Sequence, residues 1–321
     1  MEIGTTLPTG CTGEYQVAPE AVRRWASDAD EAGFAGLWSL DPIVKPGPYV
    51  TSVLQPLVAL SHAAAVTDDI PLGTSILLLP VRGAANTADA ALTLQYLGDR
   101  EVTLGLGAGY VTDEFEVTGV PIEERGPRLS EGIEVLEELF SGNGSVDGRF
   151  HSFGDVTIDP IVEDPPRILA GGSSKYTDDG MSEPMLDRII DSDGWIAPPM
   201  DPEQAIEDWD AISAHAESKG VDPDSIDRVL LNYTHVVDTE DTERAHDEQR
   251  AVFSEFFSPQ RGFDQAKNNC LLGTPDDIQT RLEAYEDVGF DQVIAGPAAH
   301  TAEDLDAQMD RITEHVLDPW S

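Results

Sequence analysis

Residues Gly105–Phe115 read GLGAGYVTDEF, with Gly105, Gly107 and Gly109 at alternate positions behind the β-prone run Val102-Thr103-Leu104. Glycine weakens a strand interior, so such a row marks either a close approach to that face or a turn. A dinucleotide fingerprint would need GxGxxG at a strand-to-helix turn. The sixth position is Tyr110 counted from Gly105 and Thr112 counted from Gly107, so the fingerprint fails in both registers. Residues two apart on a strand share a face. The three glycines then line one face, and Leu104, Leu106 and Ala108 the other. On a barrel strand the glycine face points into the mouth, where missing side chains leave a slot for a flat ring at the catalytic end. The same glycines would also serve merely to relieve crowding inside the barrel.

The segments on either side decide which sheet this strand belongs to. Strands are predicted at Glu2–Leu7, Phe34–Leu40, Leu72–Leu79, Val102–Ala108, Arg167–Ala170, Gly194–Ala197, Val229–Val237 and Gln292–Ala295. Helical spacing of apolar residues falls between them, at Ala18–Ala32, Ser52–Val66, Thr87–Leu97, Glu124–Phe140, Pro202–Lys219 and Asp276–Val288. The runs EAGFAGLW (31–38) and DVGFDQVI (287–294) echo each other: helix end, Gly, Phe, then an apolar strand. Eight β/α units in one series predict a single-domain (β/α)8 barrel over residues 1–321, with insertions in the C-terminal-face loops.

The chain has 321 residues, of which 61 are acidic and 19 basic, a formal net charge of −42. Such a surface repels nucleic acid and anionic membranes, which excludes both as partners. The acids are spread through helical stretches, and only four of the cations are lysines. A folded, acidic, lysine-poor chain suggests a proteome adapted to high salt, where counterions screen self-repulsion. Cys11 and Cys270 belong to no disulfide framework or zinc pattern, and the seven histidines form no HxH or HExxH. No metal is expected. No signal peptide or membrane-spanning run is visible, so a cytoplasmic location is expected. Neither a GxSxG elbow nor a P-loop is present.

With the units in place, the chain resembles the bacterial-luciferase-like superfamily of flavin- and deazaflavin-dependent oxidoreductases. The resemblance rests on GFAGLWSLD, GTSILLLPVR, GLGAGYVTDEFEVTG, ERGPRLSEGIEVLEELF, RILAGGSS, DSDGWIAPP and GTPDDIQTRLEAYEDVGFDQVI, in that order. It implies FMN or coenzyme F420 at the C-terminal mouth. It places a non-proline cis peptide in the stretch Thr74–Leu77, with Ser75 and Ile76 behind the ring, and Gly107, Ala108 and Gly109 beside it. Ala170, Gly171, Gly172 and Ser173, with Ser174, would meet the cofactor phosphate through N–H groups and hydroxyls, and Arg128 is a further anion contact. His235 and His300 are near enough in sequence to strand ends to reach the mouth, or else are structural.

Two departures qualify the resemblance. Deazaflavin-dependent relatives often carry Asp-His after the second strand, but here Asp41 is followed by Pro42. Relatives acting on sugar phosphates tend to carry an acid where this chain has Tyr110, so that substrate class is not expected. Asp41 and Tyr110 remain the catalytic candidates, as substrate-orienting or proton-donating groups.

The expected activity is hydride transfer between F420 and a small organic substrate, with a methanopterin-type reductase as one candidate. F420 is preferred over FMN because the halophile-like composition suggests a haloarchaeon, and such organisms make the deazaflavin. The alternatives are an FMN-dependent monooxygenase supplied by a flavin reductase, a non-catalytic flavin-binding barrel, and an unrelated barrel lyase or isomerase. Specificity is expected from Asp41–Tyr49, Lys175–Glu183 and Ser258–Asn269, and a homodimer is open.

Overall fold

The computed structural model describes residues 1–8, 17–44, 54–177, 179–256 and 262–321. Its strands are β1 (Glu2–Thr6), β2 (Leu37–Ser39), β3 (Leu72–Leu78), β4 (Val102–Gly107), β5 (Gly144–Asp147), β6 (Ser152–Val156), β7 (Arg167–Gly171), β8 (Gly194–Ala197), β9 (Asp227–Thr234) and β10 (Gln292–Pro297). Eight of them close a parallel barrel in the order β1-β10-β9-β8-β7-β4-β3-β2. This is the (β/α)8 barrel that the alternation of segments predicts. The β5–β6 pair is a separate antiparallel hairpin. It lies within a stretch where no repeating pattern announces a strand. It runs back along helix Arg125–Phe140, and Glu131 of that helix accepts the backbone N–H groups of Arg149, Phe150 and His151 at its tip.

Local chemistry explains why the units punctuate where they do. Gly33 and Gly289 both take left-handed φ values, 86° and 90°, and end their helices. The following Phe34 and Phe290 each donate a backbone N–H to the last helical turn and bury their rings. Pro202 opens one helix and Asp201 caps it through the N–H of Gln204. Thr274 and Asp277 form a reciprocal capping box at the start of helix Pro275–Val288.

Strand parity divides the apolar residues between two cores. Leu77, Leu104, Leu106, Ala170, Trp195, Leu230 and Val293 face outward and pack under the helices. Trp38, Leu169, Ile196, Val229, Leu231 and Ile294 fill the barrel interior. The Trp38 indole occupies the floor and leaves its neighbours no side-chain volume: a Cβ on Gly73 would lie 2.4 Å from Trp38 Cε3. At the strand bearing the site, register slips between Ser75 and Leu77, and the Ser75–Ile76 peptide is cis. That slip turns Ile76 inward beside Ser75. Extra helices at Thr242–Phe256 and Gly262–Asn269 intervene between β9 and helix Pro275–Val288. Among the described residues no helix is long and apolar enough to cross a membrane.

Candidate functional site

The C-terminal mouth of the barrel is floored by Ile76. A Cβ on Gly107 would lie 1.9 Å from Ile76 Cδ1, and one on Gly171 would lie 3.7 Å from Ile76 Cγ2. The slot expected at Gly107 is therefore filled from the next strand, by a side chain that stays partly exposed. Leu40, Ile76 and Tyr233 pack on the inner cluster around this floor, giving an apolar platform. A flat conjugated ring fits such a surface, since it buries apolar area without stranding polar atoms.

The glycine row divides by depth. Gly105 serves packing, because a Cβ there would lie 2.2 Å from the Thr74 carbonyl oxygen and 2.8 Å from Ile196 Cδ1. Gly107 houses Ile76. Gly109 differs from the expected strand continuation: its φ is 78°, and it turns the chain against Phe115 beyond the end of β4. Two other expected cofactor contacts face away from the mouth. Ala170 is fully buried in the outer core, and Ala108 packs against that core, because both sit at the outward parity of their strands. Ser75 is buried, with a hydroxyl that finds no partner among the described residues.

Asp41, a catalytic candidate, is engaged by the protein itself. It is 4% exposed. One of its carboxylate oxygens accepts the Leu78 N–H at 2.9 Å, and both accept from Arg82, with Nε at 3.1 Å and a closer contact from Nη2. The pair ties the loop after β2 to the end of β3. Beside it, Glu114 is 2% exposed and accepts the Ile43 N–H at 2.7 Å. Burial pushes its carboxyl above the ordinary value, the backbone N–H groups of Ile43 and Val44 partly offset this, and Asp41 adds to the rise. Tyr110, the other catalytic candidate, is 72% exposed at the rim.

The turn after β7 is engaged with the protein itself. The Ser173 hydroxyl donates to Asp208 Oδ2 at 2.7 Å, the Ser174 hydroxyl donates to Oδ1, and the Ser174 N–H reaches both oxygens at 3.2 and 3.3 Å. Gly172 is turned toward helix Glu183–Asp191, where a Cβ would meet Met185 Cγ at 2.7 Å, and its carbonyl accepts the Trp195 indole N–H at 2.8 Å. Trp195 is fully buried and stacks with Trp209 and Phe290. Arg128 pairs with Glu124 at 2.7 Å and lies over the Phe150 ring at 4.2 Å, so it is held at the hairpin. His235 is buried, its Nδ1 hydrogen-bonds the Ala298 carbonyl at 2.8 Å, and burial lowers its pKa. It is a structural histidine. His300, partly buried, gives its backbone N–H to Asp304.

Sequence reasoning missed Leu40 and Tyr233 at the mouth, as well as Glu114 and Asp208. Alternation along β9 (Val229, Leu231, Tyr233) would have found the tyrosine. Asp208 lies 34 residues from Ser174, and no local pattern links them. Lys175 reaches across the mouth loops to the Pro199 carbonyl. Parts of the expected specificity segments, residues 45–49, 178 and 258–261, lie outside the described residues, as does Cys11. Among the described residues no group of three or more His, Cys, Asp or Glu is placed to hold a metal ion.

The model of the luciferase-like monooxygenase family matches residues 1–269. The chain belongs to that family. An F420-dependent glucose-6-phosphate dehydrogenase of Beutenbergia cavernae is 33% identical over 169 residues, covering 50% of this chain and 49% of that protein. An uncharacterised protein of Mycobacterium tuberculosis is 27% identical over 196 residues, covering 56% of this chain and 65% of its own length. The matches therefore span from about half to just under two thirds of these relatives. Among solved structures, the monooxygenase RslO1 of Streptomyces bottropensis superimposes with a TM-score of 0.82 at 22% identity, covering 100% of both chains. An F420-dependent secondary alcohol dehydrogenase gives 0.79 at 18% identity, covering 98% of each. These structural likenesses establish the fold. The curated relatives are actinobacterial and lend no support to a haloarchaeal origin, so the preference for F420 loses that footing.

Proposed function

We propose that this protein is an oxidoreductase that binds a deazaflavin ring on the Ile76 platform and transfers hydride between F420, as a diffusible cosubstrate, and a small organic molecule. The observation that carries the reading is the platform itself, where Ile76 lies between Gly107 and Gly171 in an apolar mouth. Two relatives above 30% identity are F420-dependent, which supports the deazaflavin part of the reading.

A deazaflavin, when bound, supplies two-electron hydride chemistry. The chain supplies position and dryness. Ile76 would back a bound ring, while Leu40 and Tyr233 would wall it and exclude water, which strengthens electrostatics at a reacting centre. Asp41 holds Arg82 and the end of β3, fixing the platform's height. Glu114 anchors the start of the loop that leaves β2. Tyr110, standing where sugar-phosphate-oxidising relatives tend to carry an acid, points away from that substrate class.

The family's monooxygenase description favours a second reading, an FMN-dependent monooxygenase fed by a reductase. Fluorescence titration with F420 and with FMN separates the two, followed by oxygen uptake with reduced FMN. Tighter binding of F420 without oxygen uptake is the expected result. Preferential FMN binding with oxygen consumption would establish the second reading. Ring binding with no turnover on any donor would leave a non-catalytic binding barrel.

A further inference from the structure

We infer that Asp208 closes the turn after β7 against a ligand phosphate, so that in this chain Ser173 and Ser174 hold a protein carboxylate where the resemblance implies a cofactor anion. The inference rests on the reading that a flavin-type ring enters the mouth, and it concerns the tail of that ligand.

A phosphate dianion accepts hydrogen bonds and donates none, so its cradle must present free donors. A serine hydroxyl has one proton. Here the Ser173 proton goes to Asp208 Oδ2 and the Ser174 proton to Oδ1. The Ser174 backbone N–H is spent on the same carboxylate. Gln204, from the first turn of the helix that carries Asp208, gives its side-chain N–H to the Ser174 hydroxyl at 2.8 Å and to Asp208 Oδ1 at 3.2 Å. The Lys175 N–H goes to the Ser173 hydroxyl at 3.1 Å. Asp208 is 1% exposed, so its charge is poorly screened and repels a second anion brought to the same hydroxyls. The side of Gly172 away from the serines is closed as well, since a Cβ there would lie 2.7 Å from Met185 Cγ. The carboxylate already takes both serine hydroxyl protons and the Ser174 N–H that such a turn would offer a phosphate.

FMN and riboflavin share a ring and differ in the terminal phosphate, so the ratio of their affinities reads contact with that group. The full chain would be titrated with both, as wild type, Ser174→Ala and Asp208→Asn. Asparagine keeps the shape of Asp208 and removes its charge. The expected result is a ratio that Ser174→Ala changes by less than about twofold and Asp208→Asn raises at least about fivefold in favour of FMN. A fivefold fall of the ratio in Ser174→Ala would overturn the inference, because the hydroxyl would then be holding phosphate. If neither ring binds any form, titration with F420 decides the proposed function separately, and closure of the turn is read with inorganic phosphate. Phosphate, compared with chloride at matched ionic strength, should raise the Tm of Asp208→Asn beyond that of wild type. A wild-type rise that Ser174→Ala abolishes would overturn it.

Discussion

Ile76 occupies the space that a side chain on Gly107 would need: its Cδ1 lies 1.9 Å from the position of a Cβ there. One residue is glycine because the other lies across it, and together they shape the floor of the barrel mouth.

Gly107→Ala should therefore displace Ile76 and roughen the platform. Overpacking of this kind costs about 1–3 kcal/mol, and ring affinity should fall by roughly tenfold or more while the fold persists. Gly105→Ala meets the Thr74 backbone oxygen, which cannot rotate away, and should be the more destabilising of the two. Urea denaturation and ring titration on both variants check the order. Equal affinity of Gly107→Ala and wild type for the ring would remove the platform from the site.

Asp41→Ala leaves the Arg82 guanidinium and the Leu78 N–H without their partner. Breaking a buried pair from one side costs about 3–5 kcal/mol, and the loss should appear in the denaturation midpoint. If Asp41 positions the platform and does not exchange protons with substrate, Asp41→Asn should keep the shape of the pH–rate profile while lowering stability. A lost ionisation limb would restore it as a catalytic group.

Glu114 carries a pH signature. Its pKa in the folded chain is raised above the ordinary 4.5, chiefly by burial. Its contribution to stability is thus fully present below that ordinary value and is lost as pH rises through the folded one. Glu114→Gln lacks this titration. Its Tm relative to wild type should increase between pH 4.5 and pH 7.5, by scanning calorimetry. A difference that stays constant with pH would show that Glu114 titrates normally.

The net charge of −42 predicts salt-dependent stability whatever the source of the protein. Around Asp28, burial raises the pKa and Glu31, Asp306 and Asp310 push the same way against Arg24. Moving from 2 M to 0.1 M KCl should lower Tm by on the order of 5–10 °C, a few kcal/mol for a chain of this size. An unchanged Tm would show that the repulsion is already neutralised within the fold.

Cys270 is fully buried, and burial pushes its thiol pKa up to about 12. In a Cys11→Ser background, a thiol reagent at pH 8 should label the native chain no faster than it unfolds, and label it at once in denaturant. Prompt native labelling would mean that the region around Leu271 opens locally.

The sequence alone determined the barrel, because its signals are local. Gly33-Phe34 and Gly289-Phe290 end helices and begin strands through contacts within a few residues, and the alternation of Leu104 and Leu106 with Gly105 and Gly107 reports two faces. Of the candidate site, strand parity made Gly107 legible, whereas Ile76 and Gly171 were reached only through the family resemblance, because a register slip turns Ile76 inward against the parity of its strand. Tertiary structure decided the rest. Asp41 reads as an available acid until Arg82 and Leu78, about 40 residues away, are brought to it by the pairing of β2 with β3. Ser173 and Ser174 read as a phosphate turn until helix Pro202–Lys219 delivers Asp208. A hydrogen-bond donor written in a sequence is only a capacity. Whether it is free for a ligand depends on which distant acceptor the fold places against it.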